Sequence, residues 1–177
     1  MNEEIILGGG CFWCLDAVYR EIRGVIKVVS GYAGGAIADP TYKEVCTGLT
    51  GHAEAVQITF DPRMITLEKI LRIFFFIHDP TTLNFQGNDT GTQYRSIIFY
   101  RNQKQKDVID KVIGELIKDK IYDNPIVTEV VPVQSFYAAE DYHQNYYEKN
   151  KQEGYCRIII NPKMEKLRKD FLDSLKN

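Results

Sequence analysis

Strand-like and helix-like segments alternate along this chain, and their order restricts it to a few fold classes. Residues 53–60 are mostly apolar and stop at Asp61-Pro62, which predicts a strand. Residues 67–77 place their apolar side chains at helical spacing and end before Pro80, which predicts a helix. The same criteria predict strands at 5–7, 25–32, 96–100, 127–133 and 157–160, and helices after residue 11 and at 102–120, 138–150 and 162–175.

Interleaved strands and helices of this kind predict an α/β (α+β) fold with one central sheet. Strands 25–32 and 53–60 follow one another without a helix between them, which argues against a purely parallel sheet. A split βαβ sandwich therefore fits better than a doubly wound fold. Two long polar loops, 33–45 and 79–95, are expected to carry function, because long ordered loops are uncommon in compact domains.

The composition favours a single domain that spans residues 1–177. The chain is 44% apolar and 26% charged, and it contains no linker or repeat. Its net charge of −2 argues against a nucleic-acid-binding protein. Residues 73–77 are far shorter than the ~20 apolar residues of a membrane span, and the acidic start does not resemble a secretory signal. We therefore expect a cytoplasmic protein whose four cysteines are not structural disulfides.

Cys11 is the strongest candidate for a catalytic residue. It follows Gly8-Gly9-Gly10 and precedes a helical period, so it falls at a helix N-terminus. That position is expected to lower the pKa of the thiol, and glycines allow a ligand to approach the backbone closely. The alternative is a buried core cysteine beside a tight turn.

Cys14 completes the spacing of a redox dithiol, Cys11-Phe12-Trp13-Cys14. A zinc site is disfavoured because there is no second cysteine pair and the three histidines are widely spaced. A thioredoxin-type domain is also disfavoured, because Phe12 and Trp13 are unlike the small residues of its turn. We expect neither a metal nor a cofactor, and a generic dithiol–disulfide oxidoreductase stays open as an alternative function.

Eight motifs follow one another along the chain. They are Gly9-Gly10-Cys11-Phe12-Trp13-Cys14, Ser30-Gly31-Tyr32-Ala33-Gly34-Gly35, Pro40-Thr41-Tyr42-Lys43-Glu44-Val45-Cys46-Thr47-Gly48, Thr50-Gly51-His52-Ala53-Glu54-Ala55-Val56, His78-Asp79-Pro80-Thr81-Thr82, Gln86-Gly87-Asn88-Asp89, Gly91-Thr92-Gln93-Tyr94-Arg95-Ser96 and Ala139-Glu140-Asp141-Tyr142-His143-Gln144. Together these motifs resemble the A-type peptide methionine sulfoxide reductase family. The resemblance covers residues 7–156 and leaves 157–177 as a helical C-terminal extension to a core of about 5–156. It implies a ferredoxin-like two-layer core and an enzyme that reduces the S epimer of methionine sulfoxide, free or in proteins, with thioredoxin as reductant.

The resemblance also implies roles for individual residues. Cys11 matches the nucleophile, Glu54 the acid that protonates the sulfoxide oxygen, and Tyr42 and Tyr94 the donors that hold this oxygen. Burial in an aromatic pocket would raise the pKa of Glu54 toward neutrality. The alternatives are a surface carboxylate for Glu54 and core packing for either tyrosine.

Three further residues match the pocket of the family. Asp89 would orient donors or the substrate main chain, although it could equally serve only to form a turn. Phe12 and Trp13 would cradle the S-methyl group, since aromatic rings pack well on sulfur and methyl. Their alternative is an ordinary helix-start core. A non-catalytic module that recognises methionine in an aromatic cage is a further alternative, but it would have no use for a reactive cysteine.

The thiol that resolves the resulting sulfenic acid is predicted to be Cys156, because residues 154–156 match the family's Gly-Tyr-Cys context. Cys14 is the alternative, since many family members have glycine at that position. A third alternative is that neither thiol reacts and the external reductant attacks the sulfenic acid directly. Residues 157–160 replace the glycine-rich tail of the best-known members. Cys46 is interpreted as structural.

Overall fold

A computed structural model of the protein describes residues 1–177. Strands and helices alternate along the whole chain, with short 3-10 turns at Thr92–Tyr94, Asp141–His143 and Leu172–Ser174 and a π-helical turn at Cys156–Ile160. In chain order the elements are β1 (Glu3–Gly8), α1 (Phe12–Arg20), β2 (Val25–Ala33), α2 (Tyr42–Cys46), β3 (Ala53–Phe60), α3 (Leu67–Ile77), β4 (Phe85–Gln86), β5 (Asp89–Thr90), β6 (Ile97–Tyr100), α4 (Gln103–Lys118), β7 (Glu129–Pro132), β8 (Phe136–Ala138), α5 (Tyr146–Lys149) and α6 (Asn161–Asp170).

One six-stranded sheet in the order β7-β6-β1-β3-β2-β8 organises the molecule. Its four central strands, β6-β1-β3-β2, pair with one another in antiparallel. Helix α1 connects β1 to β2, and helix α3 connects β3 to β6, which is the arrangement of a ferredoxin-like split βαβ sandwich. The predicted fold class is therefore confirmed. Strand β7 adds in parallel to β6, and β8 adds in antiparallel to β2.

The two faces of the sheet are covered unequally. The main core fills the helix-covered face, and on strand β3 it includes Val56, Ile58 and Phe60. A small cluster with Ala53 and Ala55 fills the opposite face. Because side chains alternate along a strand, Glu54 shares the helix-covered face with Val56. A carboxyl group at that register must be buried under a helix.

Two predictions about secondary structure near the C-terminus are wrong. Residues 157–160 do not form a strand, because the buried positions Cys156, Ile160, Met164 and Leu167 recur at helical spacing through the π-helical turn into α6. Residues 138–150 do not form one helix. Strand β8 pairs with β2, and Asn145 has φ 53°, a left-handed conformation that interrupts the chain before α5.

Helix α2 and the β4–β5 hairpin were also not predicted. Helix α2 begins at a capping box, in which Glu44 N–H donates to Thr41 Oγ1 and Thr41 N–H donates to the Glu44 carboxylate. The Thr-x-x-Glu spacing is a signal that could have found it. Strands β4 and β5 form a hairpin, and each strand has only two residues, which is too short for a periodic sequence pattern. None of the helices has both the length and the apolar composition that a membrane span requires.

Candidate active site

Cys11 occupies the N-cap position of α1, directly after the glycines that end β1. Its backbone is extended, with φ −61° and ψ 127°, so the helix proper starts at Phe12. Gly10 has φ 92°, a conformation that L side chains rarely adopt, which explains a glycine just before the cysteine. The predicted helix-start position of Cys11 is confirmed, and its side chain is 8% exposed.

The thiols of Cys11 and Cys14 titrate as one coupled pair. The hydrogen bond from Cys11 lowers the pKa of Cys14 to about 7. Burial, followed by this hydrogen bond and the charge of Glu54, raises the pKa of Cys11. The expectation of a lowered pKa for Cys11 is therefore wrong, because desolvation outweighs the helix N-terminus.

Glu54 lies under the N-terminus of α1 with only 1% of its surface exposed. The backbone N–H of Phe12 donates to Glu54 Oε2 at 3.1 Å, a bond that favours the ionised form. Burial has the larger effect and raises the pKa of Glu54 to about 8. The carboxyl group is therefore mostly protonated at neutral pH and can donate a proton in the vicinity of Cys11.

Tyr42 and Tyr94 come from two separate loops and converge near Glu54. Tyr42 is the first residue of α2, and Tyr94 ends a 3-10 turn. Burial is the main cause that raises the pKa of both hydroxyls, and the negative charge of Glu54 raises both further. Both tyrosines therefore stay protonated and can donate hydrogen bonds. Glu140 holds Tyr42 in place by accepting its backbone N–H at 3.0 Å.

Aromatic side chains form one wall of the site. Phe12 is fully buried, with its ring 5.7 Å from that of Tyr32 and 5.0 Å from that of His143. Trp13 is half-buried and stacks on Tyr146 at 3.7 Å between ring centroids. The indole ring is thus fixed beside the N-terminus of α1, with part of its surface accessible.

His143 is a site residue to which the sequence analysis gave no role, although its motif was part of the resemblance. Its side chain is fully buried, and its Nδ1 accepts a hydrogen bond from Trp13 Nε1 at 3.0 Å. The ring also packs against Tyr42, with centroids 4.6 Å apart. Accepting at Nδ1 fixes the neutral tautomer with hydrogen on Nε2, which has no protein partner.

Asp89, the remaining candidate pocket residue, lies at the start of β5. Its Oδ2 accepts a hydrogen bond from the hydroxyl of Tyr155 at 2.6 Å. The same hydroxyl lies 3.9 Å from the sulfur of Cys14. Tyr155 therefore links the candidate pocket aspartate to the second thiol of the Cys-x-x-Cys motif.

The other two cysteines lie on other elements of the fold. Cys156 is fully buried at the start of the π-helical turn, where it interacts electrostatically with Cys14. Cys46 is exposed at the end of α2. All four cysteines are free, and no group of three metal-ligating side chains is present.

Comparison with known proteins decides which family carries this site. The family model described as peptide methionine sulfoxide reductase matches residues 3–175. The chain belongs to this family. The peptide methionine sulfoxide reductase MsrA of Saccharolobus solfataricus is 54% identical over 174 residues, which are 98% of this chain and 97% of the relative.

Solved structures agree with the family assignment. Mxr1 from Saccharomyces cerevisiae in reduced form has a TM-score of 0.80 and 38% identity, covering 88% of this chain and 89% of that one. Mxr1 in complex with Trx2 has a TM-score of 0.57 and 28% identity, covering 82% and 84%. The reductase is an oxidoreductase that acts on methionine sulfoxide, as the motifs predicted. A generic dithiol–disulfide oxidoreductase is not favoured.

Proposed function

We propose that Cys11 reduces the S epimer of methionine sulfoxide by attacking its sulfur, with Glu54 as the acid. The observation that carries this proposal is the buried Glu54, which has a pKa of about 8 and accepts the N–H of Phe12, the residue after Cys11. A sulfoxide oxygen leaves only after protonation, so a neutral carboxyl group next to a thiol is the chemical requirement of this reaction.

In the first step the sulfoxide oxygen moves from substrate to enzyme. The sulfur of Cys11 attacks the substrate sulfur while the neutral Glu54 protonates the oxygen, and the thiol proton of Cys11 passes to the Glu54 carboxylate that results. The sulfur–oxygen bond of the substrate breaks, the oxygen ends on Cys11 as a sulfenic acid, and methionine is released, so atoms and protons balance. Tyr42 and Tyr94 donate hydrogen bonds to the oxygen, which stabilises its developing charge.

The substrate is oriented by the aromatic wall and by Asp89. The accessible part of Trp13 receives the S-methyl group, and the fully buried ring of Phe12 packs behind it. Asp89 orients the neighbouring donors or the main chain of the substrate. Both free methionine sulfoxide and the oxidised residue in a protein are proposed as substrates.

In the second step a neighbouring thiol attacks the sulfenic acid and releases water, which leaves a disulfide. The sequence context favours Cys156, but two observations support Cys14 as the first thiol to react. The backbone of Cys11 is extended at the N-cap, so its side chain does not follow the geometry of a regular helix. Cys14 is also the more acidic thiol of the pair. We therefore propose Cys14 as the first resolving thiol and Cys156 as the alternative.

Thioredoxin is the proposed reductant of this disulfide, since the related Mxr1 forms a complex with Trx2. We propose that the enzyme works in the cytoplasm, where four cysteines stay reduced. Residues 1–177 would act as one catalytic domain, with a core of about 5–156 and the extension 157–177.

One single-turnover experiment tests the proposal. Reduced enzyme is mixed with one equivalent of methionine sulfoxide, and the loss of Cys11 thiol and the release of methionine are followed together. We expect one equivalent of methionine to be released for each Cys11 thiol that is lost. Cys11→Ser should release no methionine, because serine cannot form a sulfenic acid. A Cys11→Ser enzyme with a tenth or more of the wild-type rate would remove Cys11 from the mechanism. Cys46→Ser, which removes an exposed thiol, is the matched control.

A further inference from the structure

The glycine turn before Cys11 is packed closely on two sides by side chains from another part of the chain. A Cβ atom added to Gly9 would lie 3.1 Å from the ring of His78. A Cβ atom added to Gly10 would lie 2.7 Å from Cγ of Gln86. The aliphatic stem of Gln86 thus rests directly against the backbone of the residue that precedes Cys11.

The amide of Gln86 is fixed by two hydrogen bonds to one residue. Asp79 N–H donates to Gln86 Oε1 at 3.0 Å, and Gln86 Nε2 donates to the Asp79 carbonyl at 2.9 Å. The side-chain amide of Gln86 and the backbone of Asp79 thus exchange a reciprocal pair of hydrogen bonds, as two paired residues in a β-sheet do. Since donor and acceptor are both used, the side chain is held in one orientation against Gly10.

The backbone of Gln86 fixes a second part of the site. Gln86 in β4 pairs with Asp89 in β5, and the backbone N–H of Gly91 donates to the Asn84 carbonyl at 2.9 Å to close this hairpin. Asp89 in turn accepts the hydroxyl of Tyr155. One residue therefore touches the Cys11 turn with its side chain and the Asp89 strand with its backbone.

We propose that Gln86 is a positioning residue that holds the Cys11 turn and Asp89 at a fixed separation. It does not contact the reacting atoms in this arrangement. The inference rests on the proposed roles of Cys11 and Asp89. A displacement of about 1 Å at a reacting group can lower a rate by about 10²-fold. The loss of the two hydrogen bonds between Gln86 and Asp79 is therefore expected to slow the chemical step.

Gln86→Met tests the proposal because it keeps the length of the side chain and removes both hydrogen bonds of the side-chain amide. We expect its single-turnover rate to fall about 10- to 100-fold, measured at a temperature where circular dichroism shows the variant to be folded. Gln86→Glu keeps the bond from Asp79 N–H and loses the other, and an intermediate rate is expected. Asn88→Ala, in the exposed turn of the same hairpin, is the matched control and should react as the wild type does.

A double-mutant cycle separates positioning from a merely structural role. If Gln86 acts by locating Asp89, Gln86→Met should slow an Asp89→Asn enzyme much less than it slows the wild type. Fully additive effects, or a folded Gln86→Met enzyme with the wild-type rate, would overturn the proposal. If Gln86→Met does not fold, the same cycle with Gln86→Glu decides. An active Cys11→Ser enzyme would instead reject the underlying mechanism, which keeps the two failures distinguishable.

Discussion

The backbone N–H of Phe12 donates to the side chain of Glu54 across 42 positions of sequence, at 3.1 Å. This bond joins the N-terminus of α1 to the helix-covered face of β3. It fixes the carboxyl group beside the residue that follows Cys11 while leaving its second oxygen available. Because burial outweighs this bond, the acid is neutral near neutral pH, and that protonation state gives three of the four predictions below.

Glu54→Gln is expected to slow the reductive step by about 10²–10⁴-fold, because glutamine cannot deliver a proton to the sulfoxide oxygen. Single-turnover loss of the Cys11 thiol measures the rate. In the wild type the rate should also fall above pH of about 8, where Glu54 ionises, and the variant should lack this dependence.

The matched control for this variant is Glu165→Gln, which neutralises an exposed carboxylate on α6. It should keep both the wild-type rate and the wild-type pH profile. A Glu54→Gln enzyme that reacts at the wild-type rate would show that the buried carboxyl group is only structural.

The same substitution is expected to stabilise the fold at neutral pH. The pKa of Glu54 is about 8 when folded against an ordinary 4.5, so between these values the folded state binds a proton that the unfolded chain does not. The free energy of unfolding therefore falls as pH rises through this window, by up to about 1.4 kcal/mol per pH unit.

Urea unfolding of both proteins checks this prediction. Glu54→Gln should exceed the wild type by roughly 3 kcal/mol at pH 7, and the difference should shrink toward pH 5. A variant that is less stable than the wild type at pH 7 would contradict a raised pKa at this position.

The reductase is expected to consume only the S epimer of methionine sulfoxide. We propose that Tyr42, Tyr94 and the neutral Glu54 donate to the sulfoxide oxygen, whereas the aromatic rings of Phe12 and Trp13 accommodate the methyl group. Inversion at sulfur exchanges the oxygen and the methyl group, so the oxygen would face aromatic rings without a donor. Chiral chromatography of a racemic mixture measures the two epimers, and equal consumption would reject this pocket.

The first disulfide after one turnover is expected to join Cys11 to Cys14. Oxidation with one equivalent of substrate and peptide mapping under non-reducing conditions identify the bridge. The sequence context predicts a Cys11–Cys156 disulfide instead. If that bridge is dominant, Cys156 is the resolving thiol and the proposed role of Cys14 is wrong. Cys14→Ser and Cys156→Ser form the matched pair, and only the former should impair turnover with thioredoxin if Cys14 reacts first.

Local patterns predicted the central elements well and failed where remote contacts dominate. Strand β3 and helix α3 end where expected, because Asp61-Pro62 and the approach to Pro80 are stop signals that act locally. The β-branched run at 157–160 predicted a strand, yet packing of Ile160 into the core made it helical. The role of Gln86 could not be predicted, because its three contacts lie on three different segments.

Consecutive residues were enough to predict the family, the split βαβ order and the candidate nucleophile and acid, because motifs and periodicity are local properties of the chain. The ionisation of those groups could be read only from the folded structure. Folding buries Cys11, which raises the pKa of its thiol, lowers the pKa of Cys14 to about 7, and places Glu54 under a helix. Desolvation and hydrogen bonding depend on which distant segments meet, and that is set by packing rather than by neighbours in the chain.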